Sequence, residues 1–161
     1  ASNNHHVLYL NNSMQLNTMD EWLYHEPLVH TPMLLSSEKR DILILGGGDG
    51  CAIKEALKYP EVQSIKIIDL DPKMTSFGAN HPVFKALNHH AYQNEKVTVV
   101  NQDAFIALEN DSQYYDVIII DFPDPRSIEL SRLYTKEMYI ESSCITTLNL
   151  GIQILKGKSP V

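Results

Sequence analysis

Carboxylates follow four apolar runs of the sequence, where they could bind hydroxyls or amines, or accept a proton. Asp49 lies in a glycine-rich segment after the first run, Asp69 ends the second, and Asp103 follows the third. Asp121 ends the fourth run, and Asp124 stands three residues further on. A carboxylate can accept hydrogen bonds, pair with a cationic group or act as a general base. These five acids are therefore the first candidates for binding and chemistry.

The glycine-rich segment directly follows the aliphatic run at residues 42–45, which predicts a strand covered on both faces. Glycine allows a sharp turn and close approach to a ligand, and the periodic residues 52–58 predict a helix with free N–H groups there. The dinucleotide fingerprint fails, because Cys51 replaces its third glycine, and Asp49 would repel pyrophosphate. The turn itself comprises Gly46, Gly47, Gly48, Asp49 and Gly50. It favours hydroxyls or a cationic ligand.

The acids after the second and third runs each allow two interpretations. Asp69 follows the glycine turn by about 20 residues, the position at which nucleoside-binding α/β folds hydrogen-bond ribose. Asp71 precedes Pro72 and can start the next helix. Asp69 can therefore bind the ligand while Asp71 caps the N-terminus of that helix. Asp103 fits capture of a base amine, and it equally fits a helix N-cap.

The remaining pattern predicts the elements that position these acids. Residues 8–16 suit a small hairpin, and Pro27 suits the first turn of a following helix. A helical pattern covers residues 133–148, and a last strand covers residues 152–155. Strands and helices alternate five times with short connections. This predicts a doubly wound, mostly parallel α/β sheet preceded by an N-terminal hairpin.

Composition narrows the function classes. The 161 residues are 43% apolar with a formal net charge of −7, which argues against a nucleic-acid-binding surface and suits a cationic substrate. Cys51 and Cys144 make no metal spacing and predict reduced, cytosolic thiols. His25 and His30 are five apart, which does not align metal ligands on a helix. The sequence contains no apolar run of about 18 residues, so it predicts no membrane span.

One set of residues runs through the chain in a recognisable order. It comprises Gln15, Asp20-Glu21, Tyr24-His25-Glu26, the turn at 46–50, the acids at 69 and 71, Asp103-Ala104, Asp121 and Asp124-Pro125. Taken together, these residues resemble one known family, the polyamine aminopropyltransferases, which are the spermidine and spermine synthases. The resemblance covers nearly the whole chain in the family's order. It implies the Rossmann-like fold of class I methyltransferases, and it implies transfer of aminopropyl from decarboxylated S-adenosylmethionine to putrescine or a related amine, with release of methylthioadenosine.

The resemblance also implies residue roles. Asp49 would contact the aminopropyl end of the nucleoside, Asp69 the ribose, and Asp103 the adenine amine. Asp121 would activate the attacking amine, helped by Tyr24. The rest of the nucleoside site would comprise Gly46, Gly48, Gly50 and Ala104, and the amine site Gln15, Tyr24, His25 and Asp124. No cofactor or metal is expected, because the sulfonium is already a good leaving group and an ammonium needs only to lose a proton.

Two departures from the family pattern qualify the resemblance. Residues 121–127 read Asp-Phe-Pro-Asp-Pro-Arg-Ser where the family has Asp-Ser-Ser-Asp-Pro-x-Gly-Pro, which resembles the branch attached to membrane-spanning segments. Arg126 leaves the identity of the amine open. The family sheet normally has seven strands, so the chain is expected to be C-terminally incomplete after the fifth.

The resulting prediction has two parts, an N-terminal hairpin with a connecting helix at 1–35 and a nucleoside-binding domain at 36–161. We expect small-molecule substrates, no nucleic acid, a homodimer, and a cytoplasmic location, either free or attached to membrane-spanning segments of a longer protein. The alternatives are an S-adenosylmethionine-dependent methyltransferase and a non-catalytic nucleoside- or polyamine-binding domain. Asp49 separates the first of these, because it would repel the carboxylate of S-adenosylmethionine.

Overall fold

The computed structural model describes residues 5–10, 12–122 and 154–155. The strands are β1 (Val7–Leu10), β2 (Ser13–Asn17), β3 (Asp41–Gly46), β4 (Ser64–Asp69), β5 (Val97–Asn101), β6 (Val117–Asp121) and β7 (Ile154–Leu155). The helices are α1 (Trp22–Leu35), α2 (Cys51–Ala56), α3 (Pro72–Asn80), α4 (Pro82–Leu87) and α5 (Ala104–Glu109), with a 3-10 turn at Ala91–Gln93. Asp124, Arg126, Cys144 and the helix predicted at 133–148 lie outside the described residues.

The main sheet has the strand order β5-β4-β3-β6-β7. Its first four strands are parallel, and the short β7 runs antiparallel to β6 at the edge. The order reverses between β3 and β6, because the chain moves outward from β3 to β5 and then returns to the other side. Open α/β sheets bind ligands at such a switch point, beyond the carboxyl ends of the strands. The predicted mostly parallel sheet is confirmed.

Two cores cover the two faces of this sheet. Alternate residues of β3 point to opposite faces, so Ile42 and Ile44 join one core while Leu43 and Leu45 join the other. Helices α1 and α2 cover the first face, and α5 covers the second. Burial on both faces explains why the central strands have continuous aliphatic sequences. The doubly wound arrangement predicted from the sequence is therefore present.

Helix α1 corrects the sequence prediction for its segment. The helix begins at Trp22, so Pro27 lies in its interior and not in its first turn, and Pro32 lies further along. An interior proline removes a hydrogen bond and costs about 3 kcal/mol. One face of α1 buries Leu28, Val29 and Met33 completely against the sheet. Tertiary packing of this face therefore offsets the local cost of the prolines.

Two helices occupy the segment between β4 and β5. Pro82 is the first residue of α4, and Asp71 caps α3 by accepting a hydrogen bond from the Lys73 N–H at 2.9 Å. His81, His89 and His90 are exposed. The antiparallel hairpin of β1 and β2 is also present. Within the described residues, no helix combines the length and the apolar character needed to cross a membrane.

Candidate active site

The glycine turn brings the carboxyl ends of β3 and β6 into direct contact. Gly46 has φ of 82°, and a Cβ there would lie 2.1 Å from the backbone oxygen of Asp121. A Cβ on Gly47, with φ of 70°, would lie 3.0 Å from Asp121 Oδ2. Side chains at these positions would be strained and would displace the acid at the end of β6. The two glycines therefore set the position of Asp121 against the turn.

Asp49 lies in the turn with one carboxylate oxygen used internally. Its Oδ1 accepts a hydrogen bond from the Cys51 N–H at 2.7 Å, and its Oδ2 lies 3.8 Å from His25 Nε2. Asn88 and Tyr92 hold the turn from behind, donating to the carbonyls of Asp49 and Gly48 at 2.9 and 2.8 Å. Burial raises the pKa of Tyr92, which keeps it a hydroxyl donor. Sequence analysis missed both clamping residues, because no local pattern marks them.

Asp69 lies beside the turn, at the end of β4. Its Oδ1 accepts a hydrogen bond from the Asp71 N–H at 2.8 Å, and a Cβ on Gly48 would lie 2.8 Å from its Oδ2. Burial raises the pKa of Asp69 above its usual range. Asp103 follows the neighbouring strand and caps α5, accepting from the Phe105 N–H at 2.9 Å. The cap interpretation of Asp103 is confirmed, and its adenine contact stays a prediction.

Asp121 ends β6 and meets a residue from α1. Tyr24 donates a hydrogen bond to Asp121 Oδ1 at 2.7 Å, although 97 residues separate the two in sequence. Burial and the negative charge of Asp49 raise the pKa of Asp121 to about 6, against the opposing effects of His25 and Tyr24. Such a carboxylate is still ionised at neutral pH and is more basic than an ordinary aspartate. The structure therefore brings together the predicted catalytic pair.

His25 lies one residue beyond Tyr24, buried between three carboxylates. Its Nδ1 lies 2.9 Å from both the backbone oxygen and Oε2 of Glu21, and its Nε2 faces Asp49. Burial alone would lower the pKa of His25, but the carboxylate of Asp49 and the hydrogen bond to Glu21 raise it to about 10, and the charge of Asp121 adds to them. His25 is therefore an imidazolium at neutral pH in this arrangement.

Behind His25 runs a buried ionic row of alternating charge, made of His25, Glu21, Lys54 and Glu55. Lys54 Nζ lies 2.6 Å from Glu21 Oε1 and 3.3 Å from Glu55 Oε1. Burial would raise the pKa of Glu21, but hydrogen bonds from His25 and Lys54 lower it to about 2. At the end of the row, Glu55 Oε2 lies 3.0 Å from His30 Nε2. Sequence analysis gave Lys54 and Glu55 no role, since they occur as ordinary polar positions of a short helix.

The other predicted site residues lie around this cluster. Gln15 is on β2 with an exposed side chain, and Ala104 is buried at the start of α5. Within the described residues, ligand-type atoms lie within 4.8 Å of one another in two groups, Glu21 with His25 and Cys51, and His25 with Asp49 and Asp121. We assign no metal to the first group, because Glu21 already pairs with the cationic side chains of His25 and Lys54. The expectation that no metal takes part stays a prediction.

The raised pKa of His25 predicts a pH-dependent stability. The folded protein keeps a proton that an unfolded histidine loses above its usual pKa of 6.5. This stabilisation is therefore complete below pH 6.5 and is lost as pH rises towards about 10. From about pH 7 to 8.5, the free energy of unfolding should fall by about 1.4 kcal/mol per pH unit. Urea unfolding of the unmutated protein and of His25→Gln at a series of pH values measures this dependence. An equal change in the free energy of unfolding per pH unit in both proteins would contradict the prediction.

Comparison with known proteins identifies relatives of this chain. The family model described as "Spermine/spermidine synthase domain" matches residues 21–161. A polyamine aminopropyltransferase of Leptospira interrogans is 44% identical over 132 residues, covering 82% of this chain and 26% of the relative. A polyamine aminopropyltransferase 2 of Bacillus cereus is 41% identical over 153 residues, covering 95% and 42%. The chain thus spans less than half the length of either curated relative.

Solved structures show the same fold. A spermidine synthase in complex with the transition-state analogue AdoDATO superposes with a TM-score of 0.77 at 28% identity, over 84% of this chain and 45% of that chain. The spermidine synthase of Thermotoga maritima gives a TM-score of 0.74 at 28% identity, over 84% and 44%. These likenesses confirm the Rossmann-like methyltransferase fold. With the family match over residues 21–161, they establish that the chain belongs to the spermine/spermidine synthase domain family.

Proposed function

We propose that the protein is a polyamine aminopropyltransferase, which transfers aminopropyl from decarboxylated S-adenosylmethionine to putrescine or a related amine. The observation that carries this proposal is the cluster of Asp49, His25, Asp121 and Tyr24 at the switch point between β3 and β6. Both proposed substrates carry amines that are ammonium ions at neutral pH. Adjacent carboxylates suit two such cations in one site.

The donor nucleoside would bind along the carboxyl ends of β3, β4 and β5. Asp69 would accept hydrogen bonds from ribose hydroxyls, as acids at that position do in other α/β nucleoside sites. Asp103, beside Ala104, would contact the adenine amine. Asp49 Oδ2 would pair with the aminopropyl ammonium, since Oδ1 is already occupied by the Cys51 N–H. The strand-to-helix turn at Gly46, Gly48 and Gly50 would let the ligand approach the backbone closely.

The chemistry would centre on Asp121. An ammonium must lose a proton before its nitrogen has a lone pair, and the Asp121 carboxylate would accept that proton. The nitrogen then attacks the carbon next to sulfur, so that a C–N bond forms as the C–S bond breaks. Sulfur keeps the electron pair and leaves as the neutral thioether methylthioadenosine. Tyr24, bound to Asp121 Oδ1, would orient the carboxylate for this transfer.

The amine site would extend beyond Asp121. Gln15 on β2, Tyr24 and His25 on α1, and Asp124, which is outside the described residues, are its proposed lining. No cofactor or metal is required by this reaction. Homodimer formation, a cytoplasmic location and attachment to membrane-spanning segments in a longer protein stay predictions.

Asp49 gives the proposal its sharpest test. The parent should bind decarboxylated S-adenosylmethionine more tightly than S-adenosylmethionine, because Asp49 attracts the bare ammonium and repels the carboxylate. Asp49→Asn should reduce that preference by roughly 10- to 100-fold, the effect of one hydrogen bond to a charged group. Calorimetric titration of both nucleosides measures the preference, with the exposed Glu61→Gln as the control.

A product assay separates the reaction classes. With decarboxylated S-adenosylmethionine and putrescine, the full-length protein should yield an aminopropylated amine and methylthioadenosine, detected by mass spectrometry. Methylation of the amine from S-adenosylmethionine would indicate the alternative methyltransferase. Binding without either product would indicate a nucleoside- or polyamine-binding domain. Equal affinity for the two nucleosides in the parent would remove the assigned role of Asp49.

A further inference from the structure

Both ring nitrogens of His25 face hydrogen-bond acceptors. Nδ1 meets the backbone and side-chain oxygens of Glu21, each at 2.9 Å, and Nε2 points towards Asp49 Oδ2 at 3.8 Å. A carboxylate oxygen of Asp121 lies within 4.8 Å of a ring nitrogen of His25 and of a carboxylate oxygen of Asp49. Carboxylate and carbonyl oxygens only accept hydrogen bonds. Nδ1 therefore carries a proton for Glu21, and a proton on Nε2 is favoured by the nearby carboxylate of Asp49.

The surroundings of His25 hold this charge in place from several elements. Glu21 approaches from the turn before α1, Asp49 from the glycine turn, and Asp121 from the end of β6. Tyr24 meets the ring edge-on with a centroid distance of 5.0 Å. The Cys51 thiol of α2 lies on the Glu21 side, and burial raises its pKa, so it remains neutral.

Glu21 is itself fixed by Lys54. Lys54 Nζ holds Glu21 Oε1 at 2.6 Å, which leaves Oε2 for His25 Nδ1. All three side chains are at most 9% exposed. Because Nδ1–H always has Glu21 as its acceptor, Nε2 is the nitrogen whose proton can change. The geometry thus separates a fixed side of the ring from a side that faces the amine-binding cluster.

We propose that the His25 imidazolium, positioned by Glu21, is the cation of the amine site before substrate binds, and that a substrate ammonium replaces its Nε2 proton on binding. This inference rests on the proposed function. The proton leaves Nε2 for solvent. The lone pair that remains accepts a hydrogen bond from the ammonium, and the Nδ1–H bond to Glu21 is unchanged. One positive charge leaves as another arrives, so the net charge beside Asp49 and Asp121 is the same before and after binding. Glu21 is thus a positioning residue that makes Nε2 an acceptor for the amine.

The charge balance supports this exchange. If the imidazolium kept its proton, its Nε2–H and the ammonium would approach the same oxygen of Asp49 as adjacent like charges, which repel each other. The ammonium also pairs with the carboxylates that raise the pKa of His25, so its arrival weakens the hold on the Nε2 proton. Amine binding is therefore expected to release a proton from His25 while the bound amine keeps its own.

The experiment follows the His25 ring by ¹⁵N NMR at about pH 8, where an ordinary histidine is neutral. With methylthioadenosine present, the parent should show an imidazolium before putrescine is added and the neutral Nδ1–H tautomer at saturation. Calorimetry in two buffers of different ionisation enthalpy should show about one more proton released per amine in the parent than in His25→Gln. His30→Gln is the matched control, because that ring pairs with Glu55 and Tyr59 and should leave proton release unchanged.

Glu21→Gln tests the positioning role. This change should lower the fraction of His25 that is protonated in the free protein, and it should reduce the number of protons released on amine binding. Lys54 is unchanged in this variant. A neutral His25 in the free parent, or a ring that remains charged after putrescine has bound, would overturn this inference and leave the proposed function standing. A parent that binds no amine would instead overturn the proposed function, and this inference with it.

Discussion

Asp121→Asn is expected to slow aminopropyl transfer roughly 10²–10⁴-fold, the usual penalty for removing a general base. Asparagine keeps the shape of the side chain and can still accept from the Tyr24 hydroxyl. It cannot take a proton from the attacking ammonium. Nucleoside affinity should change much less, because the proposed ribose and adenine contacts lie on β4 and β5. Single-turnover kinetics in the full-length protein separate the chemical step from binding.

Two variants frame this result. Glu95→Gln removes an exposed acid from the loop before β5 and should leave turnover unchanged. Asp124→Asn should raise the Michaelis constant for the amine more than it lowers turnover, if Asp124 binds the acceptor. Turnover of Asp121→Asn within about threefold of the parent would mean that Asp121 is not the base. The family membership would then describe the fold and not this assignment of the chemistry.

Lys54→Met is expected to destabilise the protein by about 1.5–3 kcal/mol, the contribution of a hydrogen bond to a charged group, because each carboxylate keeps another cationic partner. Methionine can fill the space of the lysine stem, so lost volume is a minor effect. Glu21 keeps His25 and Glu55 keeps Lys58, but the two carboxylates lose their contacts with Lys54 at 2.6 and 3.3 Å. Both carboxylates are almost completely buried. Urea denaturation monitored by circular dichroism measures the difference.

The matched control is Arg40→Met. Arg40 pairs with Glu38 at 3.2 Å, but both side chains are more than half exposed, so its loss should cost less than about 1 kcal/mol. Similar losses for the two variants would show that the ionic row is not the source of stability at Lys54. A loss of stability in Lys54→Met alone would show that ion pairs of Lys54 stabilise the fold because they are buried.

The strand framework was predictable because burial on both faces leaves a mark in local sequence. The aliphatic run of β3 and the acids that follow β3, β4 and β6 could be identified without long-range information. Parallel strands place their carboxyl ends at one edge, so the acids had to gather there. The same logic could not choose between roles for Asp103, because a cap and a ligand contact use the same residue type.

What escaped prediction depends on contacts between distant parts of the chain. Glu21 and Lys54 are 33 residues apart, and nothing in the α2 sequence shows that its lysine is buried. Asn88 is joined to Asp49 across 39 residues. The start of α1 at Trp22 was missed for a related reason, since packing of Leu28 and Met33 on the sheet outweighs the proline signal. Such interactions arise only once the sheet has brought the segments together.

The strand order also sets the sequence in which the site can be built. β3, β4 and β5 are consecutive in the chain, so the proposed nucleoside half can assemble from contacts that close early during synthesis. Asp121 joins only when β6 returns to the far side of β3, and its bond to Tyr24 closes a separation of 97 residues. β6 also supplies residues 117–120 to both cores, so it cannot open locally while the nucleoside half stays folded. Loss of the proton acceptor by unfolding is therefore expected to coincide with loss of nucleoside binding.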